Sequence, residues 1–144
     1  MKTDKNDILS VLFENGNEAT GLAEMPSAEI TEKIIGCAYK VSNSLGCGFL
    51  AKVYENSLAH ELRKEGFHVT QQQKINVIYD GIIVGFYEAD IVVNGCVIIE
   101  VKALRTLEDA HKAQCLNYLK ATGIRLGLLI NFGSPRVEVK RVAL

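Results

Sequence analysis

The chain has 144 residues, 48% of them apolar and 23% charged, with four cysteines and a net charge of −1. This suits one domain whose core needs neither disulfides nor a structural metal. Cys37, Cys47, Cys96 and Cys115 make no Cys-x-x-Cys pair, which argues against a zinc site or redox dithiol and for reduced, mostly buried thiols. No segment reaches the roughly 18 apolar residues of a membrane span, and the first residues lack a signal peptide's apolar stretch. A cytoplasmic protein is expected.

The net charge gives no whole-molecule argument for a polyanionic ligand, because counterion release needs clustered Lys and Arg. The distribution is less even. Residues 1–28 are acidic on balance, whereas Lys120, Arg125, Arg136, Lys140 and Arg141 gather in the last quarter with only Glu138 opposing them. That group is either a modest basic face or an ordinary solvated surface.

Residues 1–26 read as a weakly ordered extension with one apolar cluster, Ile8 to Phe13, and residues 27–144 as the folded domain. Ser27 is an N-cap candidate, and Ile30, Ile34, Cys37, Ala38 and Val41 recur at helical spacing. That first helix ends near Leu45-Gly46-Cys47-Gly48. A second, from about Leu50 to Gly66, carries the stripe Val53, Tyr54, Leu58 and Leu62, with Gly66 suited to the C′ position.

Beyond Gly66 the pattern changes to alternation and β-branched residues. Strands are predicted around Val69 to Tyr79, Ile82 to Phe86, Ala89 to Val93 and Cys96 to Ala103, with turns at Asp80-Gly81 and Asn94-Gly95. A helix from about Leu107 to Thr122 stops at Gly123. An apolar strand, Leu126 to Asn131, and an alternating one, Val137 to Val142, complete the chain. The order ααββββαββ implies an α/β (α+β) domain, a mixed sheet flanked by helices.

Asp90 interrupts one apolar strand, and Glu100-Val101-Lys102 interrupts the next. Ionised groups in buried strands are costly unless paired or metal-bound. Glu100 and Lys102 are two residues apart and project from one face. A cross-strand salt bridge is the plainer alternative. Whether Asp90 joins them depends on the Asn94-Gly95 hairpin. A strict two-residue turn would pair Asp90 with Ile99 and put Asp90 and Glu100 on opposite faces. A three-residue loop with a bulge, pairing Val92 with Cys96, sets Asp90 diagonal to Glu100 on the same face. The site therefore requires a bulge, an odd-length loop or a strong bend here.

An aspartate followed by Glu-x-Lys on a neighbouring strand resembles the PD-(D/E)-X-K nucleases, and Gln114-x-x-x-Tyr118 resembles the Q-x-x-x-Y element of their RecB-like branch. Gly48-Phe-Leu-Ala-Lys-Val-Tyr54, the Asp90 strand, Glu100-Val-Lys102 and Leu128-Leu-Ile-Asn-Phe-Gly133 look like the small prokaryotic GxxExxY proteins of that superfamily. The likeness covers about residues 29–143. It implies a restriction-endonuclease-like fold and a nuclease that hydrolyses nucleic-acid phosphodiesters with a Mg²⁺- or Mn²⁺-activated water.

On that reading Asp90, Glu100 and the main-chain carbonyl of Val101 hold the cation. Lys102 orients or deprotonates the attacking water, or stabilises the phosphate. Gln114 and Tyr118, one helical turn apart, face the same strand edge. Glu55 is a candidate further ligand, because it lies on a mostly core-facing stripe of the second helix. His111, a turn before Gln114, is expected to be structural. Ala51 stands where the family motif has a glutamate, and Ser42 where a histidine is usual. The alternative is therefore an impaired nuclease-fold module that binds nucleic acid or a protein partner, with apolar helix surface available for a homodimer.

Overall fold

The computed structural model describes residues 26–144. The extension and its apolar cluster, Ile8 to Phe13, lie outside the described residues. Helix α1 spans Ala28–Leu45, and Ser27 caps it by accepting a hydrogen bond from the Ile30 N–H at 3.3 Å. Helix α2, Ala51–Lys64, follows a short loop, and Gly66 takes the left-handed conformation beyond its end, at φ 89°. Strands β1, Val69–Tyr79, and β2, Ile82–Val93, form a long hairpin leading into β3, Val97–Lys102. Helix α3, Asp109–Thr122, then crosses to β4, Leu126–Asn131, and β5, Glu138–Ala143, closes the sheet.

The five strands lie in sequence order, antiparallel except for the parallel β3–β4 pair that α3 connects. This is the expected mixed sheet flanked by helices. One detail differs. The two strands expected over Ile82–Phe86 and Ala89–Val93 are one continuous strand, because Tyr87 and Glu88 stay paired to β1 through Ile75 and Lys74. The order is thus ααβββαββ.

The sheet separates two apolar clusters. Helices α1 and α2 cover Ile91, Val93, Val97, Ile99 and Val101. Helix α3 covers Ile75, Ala89, Val92, Ile98 and Leu129 from the other side. Of the four free cysteines, Cys37 and Cys115 are buried, Cys96 is partly buried and Cys47 is exposed, so the thiols are less uniformly buried than the sequence suggests. Among the described residues no helix is long and apolar enough to cross a membrane.

The segments that carry the family-like motifs fasten this frame together. The Tyr54 hydroxyl donates to the Gly46 carbonyl at 2.6 Å and accepts from the Phe49 N–H at 3.2 Å. The Tyr54 ring stacks on Phe132 at 4.8 Å between centroids. Asn131 is fully buried, and its side chain both accepts from the Leu104 N–H and donates to the Leu104 carbonyl, each at 2.8 Å. A Cβ at Gly133 would lie 2.3 Å from Leu104 backbone atoms, so that position admits only glycine without movement.

Candidate active site

The hairpin between β2 and β3 has a three-residue loop, Asn94-Gly95-Cys96, with φ 52° at Asn94 and φ 65° at Gly95. Val93 pairs with Val97 and Ile91 with Ile99. The loop is odd in length, as the site requires, but the register differs from the expected pairing of Val92 with Cys96. It sets Asp90 directly across from Glu100 rather than diagonal to it.

At Asp90 the sheet also changes character. Residues two apart in a strand share a face, yet Ile91 and Val93 pack under α1 and α2 whereas Ala89 packs under α3. β1 makes the same exchange between Val69 and Ile75. The turn-over point on β1 is Gln72, whose φ of 52° is unusual for a non-glycine residue within a strand. Pairing of β2 with β3 stops at Ile91 and Ile99, so the two strands part at the acidic residues.

Asp90 fills that gap with its side chain. Its Oδ2 accepts the Val101 N–H at 2.9 Å, and its Oδ1 accepts from Gln72 Nε2 at 3.2 Å. The Asp90 N–H in turn donates to Glu100 Oε1 at 3.4 Å. A residue's N–H and C=O leave a strand on the same side, so the Val101 carbonyl also turns towards the gap. The carbonyl of Lys102 points the other way and accepts the Phe132 N–H beyond β4 at 2.8 Å.

Glu100 is 4% exposed. Burial, and then the charge of Asp90, push its carboxyl up to about 9. Near neutral pH Glu100 therefore keeps its proton. Lys102 is partly buried, and its charge works weakly in the opposite direction on Glu100. Among the described residues Lys102 enters no ion pair, which removes the simple salt-bridge explanation of the cluster.

Tyr118 is buried on the α3 side, its ring 4.8 Å from that of Tyr87. Burial raises its phenol strongly, and Glu100 and Asp90 add to the shift, so the hydroxyl stays protonated near the acids. Gln114, one turn earlier, is exposed, and its side chain makes no hydrogen bond among the described residues. The structure thus brings one of the two helix residues to the site. His111 has the structural role expected of it: its Nδ1 accepts the Glu108 N–H at 2.9 Å in a reciprocal capping box.

Glu55 is 3% exposed, with its carboxylate surrounded by donors. Oε2 accepts from Lys52 Nζ at 3.1 Å and Gln71 Nε2 at 2.7 Å, and Oε1 accepts from Gln72 Nε2 at 2.7 Å. It reaches Asp90 only through Gln72. Among the described residues no three His, Cys, Asp or Glu side chains gather into a ligand cluster. The available donors are two carboxylates and one carbonyl. An all-oxygen set in which a buried acid faces a second carboxylate fits a hard divalent cation. Gln71 and Gln72 escaped the sequence reading, although three consecutive glutamines, Gln71 to Gln73, in an otherwise β-like segment were a signal.

Two of the basic residues of the last quarter do not share a face. Lys140 and Arg141 are exposed on β5, two strands from β3, and as adjacent strand residues they point to opposite faces.

A mixed sheet whose strands part at an acidic pair, with a lysine two residues further on, defines a restriction-endonuclease-like fold. The model of the PD-(D/E)XK nuclease superfamily matches residues 28–142, and the chain belongs to that superfamily. No curated protein and no solved structure is similar enough to the chain to match it.

Proposed function

We propose that the protein is a metal-dependent nuclease that hydrolyses nucleic-acid phosphodiesters. The observation that carries this is the meeting of Asp90 and Glu100 across the parting of β2 and β3, with Lys102 on the face of Glu100. Asp90, Glu100 and the Val101 carbonyl would hold Mg²⁺ or Mn²⁺. Such an ion neutralises charge developing on a phosphate and lowers the pKa of a water.

The chain's own groups supply the rest. The Val101 N–H orients the Asp90 carboxylate, the Lys102 ammonium positions the attacking water or stabilises the phosphate charge, and Tyr118 closes the α3 side. Gln114 could reach substrate only from its exposed position on α3. The Gly48 to Tyr54 segment and Asn131-Phe132-Gly133 support the narrower assignment to the GxxExxY group, because their residues fasten the frame around the site. Free thiols are in keeping with a cytoplasmic location.

The test is a titration of Mn²⁺ into the protein by calorimetry, alongside cleavage of labelled DNA and RNA. The parent should bind the ion, Asp90→Asn should not, and Lys102→Ala should lower cleavage by about 10²- to 10³-fold while keeping the parent Tm. Equal cleavage by Lys102→Ala would identify a contaminant. A second reading, a module that binds nucleic acid or protein without turnover, draws support from Ala51 opening α2 and from Glu55, the acid nearest to it in sequence on that helix, being fully engaged by Lys52, Gln71 and Gln72. It predicts Mn²⁺ binding with no cleavage.

A further inference from the structure

We propose that Gln72 and Glu55 are positioning residues for Asp90. Glu55 holds the Gln72 amide, and that amide fixes one oxygen of the Asp90 carboxylate. This rests on the metal-dependent reading above and deepens it by moving Glu55 out of the set of metal ligands.

The backbone supplies the first part of the argument. Gln72 lies within the 11-residue strand β1 with φ 52°, a conformation that side-chain-bearing residues adopt when their surroundings hold them there. Adjacent side chains in a regular strand point to opposite faces. Here Gln71 and Gln72 both turn to one carboxylate, reaching Glu55 Oε2 and Oε1 at 2.7 Å each. The left-handed residue makes that convergence possible.

Donor counting supplies the second part. Gln72 Nε2 has two hydrogens. One goes to Glu55 Oε1 at 2.7 Å and the other to Asp90 Oδ1 at 3.2 Å. Asp90 Oδ2 accepts from Val101 N at 2.9 Å. Each Asp90 oxygen is therefore held from a different strand, β1 on one side and β3 on the other, which fixes the carboxylate opposite Glu100. Glu55 has both oxygens engaged and is almost fully buried. A neutral double donor suits a place between two acids. A glutamate there would add a third negative charge, and a lysine would compete with the cation for Asp90.

The test measures Mn²⁺ affinity by calorimetry well below each variant's Tm, and metal-free Tm separately. Gln72→Met keeps the length and loses both hydrogen bonds. Gln72→Asn tolerates the left-handed backbone but is one methylene too short to bridge the acids. Both should lower Mn²⁺ affinity about tenfold or more, the range seen when groups that orient metal ligands are removed. Glu55→Gln should weaken affinity much less than Asp90→Asn does. Parent-like affinity in both Gln72 variants, with only Tm reduced, would reduce Gln72 to a structural role and overturn the proposal. A loss in Glu55→Gln equal to that in Asp90→Asn would make Glu55 a ligand and overturn it too. If Mn²⁺ fails to bind the parent, the metal-dependent reading itself falls, and this inference with it.

Discussion

The two halves of β2 have the same apolar texture and opposite surroundings. Ile91 and Val93 are fully buried between β1, β3 and the helices, whereas Ile82 and Phe86 are 65% and 57% exposed. The outer half has β1 on one side, while β3 pairs only with Ile91 to Val93 on the other. Hydrophobicity alone does not determine burial, because burial needs a neighbour, and β3 is too short to reach the outer half. Asp90 sits where that neighbour is lost. A carboxylate at that boundary can bond the Val101 N–H left unpaired by the parting strands and still face Glu100.

The contrast can be broken most forcefully at its boundary. Lys102→Ala, beside the acidic pair, should lower cleavage by about 10²- to 10³-fold, the usual loss when one charge-stabilising group is removed. Single-turnover cleavage at saturating Mn²⁺ measures it. The inner and outer halves should then separate in stability. Ile91→Ala should cost about 2–5 kcal/mol by urea denaturation, because it leaves a cavity in the core. Ile83→Ala, at a position 55% exposed, should stay within about 0.5 kcal/mol of the parent. Similar losses at the two positions would mean that the outer half is covered.

A smaller effect concerns Glu100. Its folded-state carboxyl is raised from 4.5 to about 9 by burial and the charge of Asp90. Between those values the folded protein holds a proton that the unfolded chain has released. Its contribution to stability is therefore full at low pH and is lost as pH rises towards 9. Measured without divalent ions, Glu100→Gln should gain stability over the parent as pH rises from mildly acidic to mildly alkaline, by at most about 1.4 kcal/mol per pH unit. An unchanged difference across that range would mean that Glu100 is not held protonated in the folded protein. The smallest effect expected is for Val84→Thr on the exposed arm, at a position 60% exposed, within about 0.5 kcal/mol of the parent Tm-derived stability.

Most of the helices and strands were legible because they are written in local signals. Ser27 caps α1, Gly66 and Gly123 end α2 and α3, and the apolar run Leu126 to Asn131 is a strand with those same bounds. The Asp90–Glu100 meeting was legible as a condition on loop length, since parity decides faces. The register itself was not, because Asn94-Gly95 suits both a two-residue and a three-residue loop and tertiary packing chooses between them. Two features depended on long-range geometry and left little local trace. The continuity of β2 through Tyr87 and Glu88 follows from pairing with β1, and the left-handed turn at Gln72 follows from the demands of Glu55 and Asp90 on either side. Gln114, placed at the site by its spacing to Tyr118, is instead exposed, because α3 turns Tyr118 towards the sheet while Gln114 stays at the helix surface.

The most direct measurement is the anomalous difference map of a crystal of the protein soaked in Mn²⁺. The account predicts one strong peak within ligand distance of carboxylate oxygens of both Asp90 and Glu100 and of the Val101 carbonyl, with Glu55 still bonded to Gln72. No peak there, or the two carboxylates directed to opposite faces of the sheet, would contradict it.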